Sequence, residues 1–187
     1  MDKTIGFIGL GTMGTPIATR LLNCGFRLVL YDIDIRKLEI FSKNSNCEIA
    51  LSPKDVGKTV RRVITILPNS NIVSEVLFAD NGLIHSLSDG SMVIDMSTGS
   101  VPAFIEQAEK LAEKKLQMVD FPVGRSPAEA LTGQLIAMAG IDKNHADAID
   151  DIAEAIAERT IYTGKLGNGL RLKLVNNYMA MVGHVLA

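Results

Sequence analysis

This chain is short of cysteine, of one-sided charge and of long apolar runs, and each shortage removes a class of protein. It holds two cysteines in 187 residues. Cys24 and Cys47 have neither the spacing of metal ligands nor the number needed for a disulfide framework. His85, His145 and His184 are scattered, without ligand spacing. The formal net charge is −2 with both signs interspersed, and no basic stripe offers a footprint for nucleic acid. No apolar run reaches the roughly 18 residues that a membrane-crossing helix needs. The sequence starts directly on a strand pattern without a signal-peptide pattern, so a cytoplasmic protein is the expectation. Ser97 and Ser126 lack a matched His/Asp arrangement, and there is no low-complexity tract. What remains is 47% hydrophobic, ample for a core, at a length that suits one large domain or a domain plus a fragment.

The most informative tract is Gly9-Leu10-Gly11-Thr12-Met13-Gly14. Residues 4–8 before it are apolar and β-leaning, and Ile17, Leu21 and Leu22 after it recur at helical spacing. Strand, tight glycine turn and helix form the context of a dinucleotide-binding fingerprint. In that reading Gly9 permits the turn, Gly11 lets the backbone approach a pyrophosphate, and Gly14 lets helix and strand pack closely. The helix start offers free N–H groups to the anion. A second strand over 26–31 ends at Asp32, roughly 20 residues beyond the turn, where a carboxylate would bind the ribose 2′-OH. The same charge would repel a 2′-phosphate, which favours NAD over NADP, although Arg36 nearby softens the preference. The plain alternative for Asp32 is a strand-end acid.

Strand and helix patterns then alternate. Residues 62–67 read as a strand stopped by Pro68. A helix capped within Asn69-Ser70-Asn71 runs to Phe78. Residues 92–94 form a strand ending at Asp95, a helix opened by Val101-Pro102 continues to about Lys115, and 116–119 is another strand. Residues 134–139 give a further strand, 142–158 a helix, and Ile161-Tyr162 the last strand. Such alternation predicts an α/β protein with a doubly wound, mostly parallel Rossmann-type sheet, with ligands gathered at the strand C-termini. The domain is expected over 1–164, with 165–187 a glycine turn and the first part of a long helix. That helix is apolar almost all round and would be buried on every side. The sequence thus looks like the first half of a longer protein, cut inside an interdomain helix. A short chain whose last helix is buried in a dimer is the alternative.

Lys173, Asn176 and Asn177 interrupt this apolar helix, with Lys173 and Asn177 on one face. Buried polar groups need partners. A lysine beside two amides suits a site for a hydroxyl or carbonyl oxygen, with lysine exchanging the proton and the amides orienting the substrate. A surface lysine with helix-interior asparagines is the bland alternative.

The chain resembles the β-hydroxyacid dehydrogenases, the family of 3-hydroxyisobutyrate dehydrogenase and tartronate semialdehyde reductase. The matching tracts are the segment from Phe7 through Gly14, Leu67-Pro68, Asp95-Met96-Ser97-Thr98, Asp120-Phe121-Pro122-Val123, and Gly169 through Lys173 to Asn177. The resemblance implies an N-terminal NAD(P) domain joined by a long helix to an all-helical domain. It implies that Lys173 is the catalytic acid/base and that Asn177 helps hold substrate. Thr12, Met13, Leu67, Pro68 and Thr98 fall where the family meets its cofactor, and Ser97 and Asn176 lie beside the expected substrate. The family's usual Val-Ser-Gly-Gly tract, which binds a substrate carboxylate, here reads Val123-Gly124-Arg125-Ser126. Arg125 supplies a planar fork for an oxyanion, and Gly124 makes room and permits unusual backbone angles. This variant is similar to the sulfolactaldehyde-reducing branch of the family, where a sulfonate replaces the carboxylate. The alternative is a loop arginine and an ordinary semialdehyde of the 3-hydroxyisobutyrate, 4-hydroxybutyrate or tartronate type. The expected partners are NAD as cofactor and a small anionic aldehyde or hydroxy acid, with a homo-oligomer as the full-length protein. A non-catalytic dinucleotide-binding module is the rival from another class.

Overall fold

The computed structural model describes residues 3–185, and side chains through residue 182. The expected end of the last helix at residues 186 and 187 lies outside the described residues. The chain begins β1 (Thr4–Ile8), α1 (Gly14–Asn23), β2 (Arg27–Tyr31), β3 (Cys47–Ile49), α2 (Pro53–Gly57) and β4 (Arg62–Thr65). It continues α3 (Ser70–Phe78), β5 (Met92–Asp95), α4 (Val101–Ala112) and β6 (Gln117–Asp120). The six strands form one parallel sheet in the order β3-β2-β1-β4-β5-β6. The order reverses between β1 and β4, which creates a crevice at their C-terminal ends.

Side-chain alternation sorts the core. Ile5 and Phe7 of β1, Leu28 and Leu30 of β2, and Met92 and Ile94 of β5 join one apolar layer. Ile8, Val29 and Val93, one residue out of phase, join the other. Period-2 strands with both faces covered produce this division. Each fully buried Leu, Ile or Phe contributes about 1.5–3 kcal/mol.

The remaining elements are β7 (Val123–Gly124), α5 (Pro127–Thr132), β8 (Leu135–Ala139), α6 (Asp147–Ile156), β9 (Ala157–Tyr162) and α7 (Asn168–Val185). The strands expected at 134–139 and 161–162 do not extend the large sheet. They build a separate three-stranded sheet, β7-β8-β9, with β7 antiparallel and β9 parallel to β8. The helix expected to reach 158 stops at Ile156, because Ala157 already pairs with Leu135. The helix expected to reach 115 stops at Ala112, and Lys115 closes the turn at φ 57°. Among the described residues no helix is long and apolar enough to cross a membrane.

Within this chain α7 is buried only at its start. Leu170 in its first turn is buried, but Leu174, Val175, Tyr178, Met179 and Met181 are 41–66% exposed. Only the start of the helix meets the sheets, so an apolar circumference is left largely to solvent within this chain.

The second sheet is tied to the first through α6. Arg62 of β4 donates Nη2 to Asp151 Oδ2 at 2.9 Å and Nη1 to Ala148 O at 3.0 Å. Removing one partner of such a pair strands the other. Arg62→Ala is expected to cost about 3 kcal/mol, the low end for a buried pair because both groups still meet some water. A urea midpoint equal to that of the parent would show that the pair contributes nothing net.

Candidate active site

The C-terminal ends of β1, β2, β4 and β5 surround a cleft of about 830 Å³. Its floor is the glycine turn. Gly9 holds φ +104°, and a Cβ there would lie 2.3 Å from Ile66 O. A Cβ on Gly14 would lie 1.9 Å from Gly9 O. These two glycines answer to the fold itself, because α1 starts almost on the carbonyl of the turn. Gly11 differs: a Cβ there would meet nothing within 4 Å, and the space beside it is the cleft. Helix α1 has no side-chain cap and no acid in its first turn. Among the described residues the amides of Gly11, Thr12 and Met13 have no protein acceptor. Open backbone donors at a helix start form a seat for a phosphate group, so the residues fit the pyrophosphate of a dinucleotide. Thr12 and Met13 line this end.

Asp32, directly after β2, is buried and braces the turn. Its Oδ2 accepts from Leu10 N at 2.6 Å and its Oδ1 from Asp34 N at 2.8 Å. The cation that reaches it is Lys37, with Nζ 3.2 Å and 3.4 Å from the two oxygens. Lys37 also lines the cleft, and the sequence reading overlooked it. Arg36, expected to soften the cofactor preference, instead grips Asp34 with two bonds of 2.8 Å. That grip holds the Asp34 carboxyl below the usual range.

The facing wall comes from the loops after β4 and β5, where Leu67, Pro68, Ser97 and Thr98 line the cleft. Ser97 Oγ accepts from Leu67 N at 2.9 Å, so this hydroxyl shapes the wall. The buried Asp95 stands behind it, with Oδ1 accepting from Thr65 Oγ1 at 2.8 Å and Ser97 N at 3.1 Å. Burial pushes the Asp95 carboxyl up, against the opposing pull of the Ser97 and Thr65 hydrogen bonds.

Arg125 lines the cleft from the loop between β7 and α5. The strained angle in this tract falls on Arg125 itself, at φ 81°, and not on Gly124 as expected. A Cβ on Gly124 would meet only ordinary contacts at 3.7 Å and 3.8 Å, and Gly124 pairs with Ile136 in the small sheet. Nη1 of Arg125 donates to Gln134 O and Glu158 Oε2, each at 2.6 Å. Its Nε and Nη2 have no acceptor among the described residues. Ser126 caps α5 in a reciprocal capping box with Glu129, a role that uses both its hydroxyl and its amide.

Lys173 reaches the cleft from α7. It is partly buried, and burial pushes its ammonium pKa down. Asn176 and Asn177 are exposed on the same helix and are not among the residues that line the cleft. The arrangement therefore gathers the glycine turn, Asp32, Leu67, Pro68, Ser97, Thr98, Arg125 and Lys173 around one space, and leaves Gly124, Ser126, Asn176 and Asn177 outside it.

The glycines give a contrast. Gly14→Ala is expected to lose about 1–3 kcal/mol of stability through overpacking and to weaken NADH binding as well. Gly11→Ala should leave thermal unfolding unchanged while weakening NADH binding about tenfold or more, as a methyl group enters the anion seat. Equal NADH affinity in Gly11→Ala and the parent, by fluorescence titration, would remove the pyrophosphate from this turn.

Residues 4–164 match the profile of the NAD binding domain of 6-phosphogluconate dehydrogenase. The chain is 36% identical over 183 residues to 3-sulfolactaldehyde reductase of Escherichia coli, a match that covers 98% of this chain and 61% of that protein. It is 32% identical over 181 residues to the mitochondrial 3-hydroxyisobutyrate dehydrogenase of Rattus norvegicus, covering 97% of this chain and 54% of that one. The crystal structure of a 3-hydroxyisobutyrate dehydrogenase from Salmonella typhimurium superposes with a TM-score of 0.87 at 25% identity, over 95% of this chain and 62% of the other. The chain thus spans between half and two thirds of the length of these relatives. A parallel sheet with this order, a glycine turn built for a dinucleotide and a profile match along most of the chain lead to one conclusion: it belongs to the family of the NAD binding domain of 6-phosphogluconate dehydrogenase, and its likeness to 3-sulfolactaldehyde reductase and 3-hydroxyisobutyrate dehydrogenase is consistent with a β-hydroxyacid dehydrogenase.

Proposed function

We propose that the complete protein is an NAD-dependent reductase that converts a short anionic aldehyde to the corresponding alcohol, or runs the reverse reaction, and that it works as a homo-oligomer. The observation that carries this reading is Lys173, a partly buried lysine on the same cleft as the glycine turn. A bound NADH supplies the hydride to the carbonyl carbon. Lys173 gives its ammonium proton to the carbonyl oxygen, so the aldehyde gains two hydrogens and the neutral amine is reprotonated from solvent. Burial brings the lysine toward the working pH, where a general acid is most effective. The free Nε and Nη2 of Arg125 offer two parallel donors to the substrate's anionic group. Asn177 and Asn176, one turn beyond Lys173, are the next groups along the helix to meet a bound substrate.

The substrate we favour is 3-sulfolactaldehyde, reduced to 2,3-dihydroxypropane-1-sulfonate. The likeness to 3-sulfolactaldehyde reductase and the Gly124-Arg125 pair that stands where the family usually has serine-glycine support it. A carboxylate-bearing semialdehyde is the alternative, supported by the likeness to 3-hydroxyisobutyrate dehydrogenase. Comparing kcat/KM for sulfolactaldehyde, succinic semialdehyde and tartronate semialdehyde separates them, and preference for a carboxylate substrate would overturn the sulfonate assignment.

Lys173→Ala is expected to lower kcat by at least about 10²-fold while NADH still binds, and normal turnover would sink the proposed acid. Because the proton donor must be protonated, kcat/KM for reduction should fall as pH rises through a value below that of an ordinary lysine. The reverse oxidation, which needs the neutral amine, should rise over the same range. Arg125→Ala should raise KM for the anionic aldehyde by about tenfold or more, as a charge-assisted bidentate contact is lost. A KM equal to that of the parent would mean that the anion is held elsewhere.

A further inference from the structure

Asp120 is a buried carboxylate that takes no part in the chemistry above. It ends β6, is 1% exposed, and is not among the residues lining the cleft. Its Oδ1 accepts from Gly167 N at 2.7 Å and its Oδ2 from Leu170 N at 2.8 Å. Gly167 directly precedes α7 and Leu170 lies in its first turn, and Lys173 follows Leu170 by a single turn. We propose that Asp120 is the positioning residue for Lys173: it pins the first turn of the lysine's helix at two points and so sets where the lysine enters the cleft. The proposal rests on the reading of Lys173 as the proton donor.

Two contacts to one rigid carboxylate fix both the axial position and the rotation of a helix, which one contact cannot do. The charge also complements the positive end of the helix dipole. Few other groups share this task. Asn168 Nδ2 reaches Thr163 O at a longer 3.3 Å, and Arg171 bonds back to Asn168 within the same turn. Beyond this turn the described side chains of α7 are mostly exposed, so its direction is decided where it leaves the sheet.

The surroundings are shaped to the carboxylate. A Cβ on Gly140 would lie 1.8 Å from Asp120 Oδ1. A Cβ on Gly169 would lie 2.2 Å from Met138 O and 3.0 Å from Asp120 Oδ2. Two segments, the end of β8 and the start of α7, thus close on one side chain with no room for a methyl group. Burying an ionisable group is costly, and desolvation raises the Asp120 carboxyl pKa against the pull of the Gly167 and Leu170 amides. An acid retained at that cost beside the helix of the proton donor fits a demand for exact placement. Misplacement of a catalytic group by about 1 Å can cost about 10²-fold in rate.

The test uses the complete protein. Asp120→Asn keeps the shape but offers one acceptor in place of two. It is expected to bind NADH as the parent does and to hold KM for the aldehyde within about twofold, while kcat falls about 10²-fold. Gly169→Ala displaces the same turn from the helix side and is expected to show the same split with the carboxylate intact. In a Lys173→Ala background, Asp120→Asn should cause no further loss, because residues that act as a unit are not additive. A parental kcat in Asp120→Asn would overturn the proposal. So would a parallel loss of NADH affinity, which marks a brace for the whole fold, or an additive loss in the double variant. Normal turnover in Lys173→Ala would instead overturn the proposed function itself, and the two failures are thereby distinguished.

Discussion

The near-contact of α1 with the carbonyl of Gly9 is the constraint on which the site depends. Only a glycine at 14 allows it, and only a glycine at 9 can turn the chain there with Ile66 O so close. The approach aims the first amides of α1 into the crevice between β1 and β4. Without it the strand order would still produce a crevice, but one without a concentrated positive end to receive a phosphate.

Around that turn the fold repeats one device. Asp32, Asp95 and Asp120 stand at the C-terminal ends of β2, β5 and β6, all buried. Each carboxylate accepts a backbone amide from a loop outside its own strand or just beyond it: Leu10 for Asp32, Ser97 for Asp95, and Gly167 with Leu170 for Asp120. Asp95 and Asp120 also face each other in register across β5 and β6. Loops are normally the mobile parts of a domain. Here acids rooted in the sheet tie the loops that carry Ser97 and the glycine turn, and the helix that carries Lys173.

The sequence made much of this legible, for identifiable reasons. β1, β2 and β5 are apolar runs ended by a glycine or an acid, and the glycine turn shows itself by composition. Asn69 announces α3 as its cap, as the structure bears out. Other parts could not be read from local pattern. β9 carries Glu158 and Arg159 on an exposed stretch and reads as the tail of a helix until its pairing with β8 is known. α2 and α5 are too short for a periodic signal, although Ser52-Pro53-Lys54-Asp55 and Ser126-Pro127-Ala128-Glu129 both carry the capping sequence that would have found them. The left-handed backbone of Arg125 has no signature, since the eye looks for glycine there. Asp120 and its helix lie some 50 positions apart, so only the assembled fold brings them together. Lys37 was hidden by Arg36, whose attachment to Asp34 leaves the neighbouring lysine to reach Asp32.

The unfilled space beside Gly11 carries a thermodynamic consequence. The strand-end acids hold the walls of the cleft already formed, so much of the ordering a ligand would otherwise impose is completed when the chain folds. Cofactor affinity and folding stability are then linked quantities. A dinucleotide that binds only the folded chain raises its stability in proportion to the logarithm of its concentration above Kd. A change that loosens Asp32 or Asp95, which hold the loops lining the cleft, weakens both together.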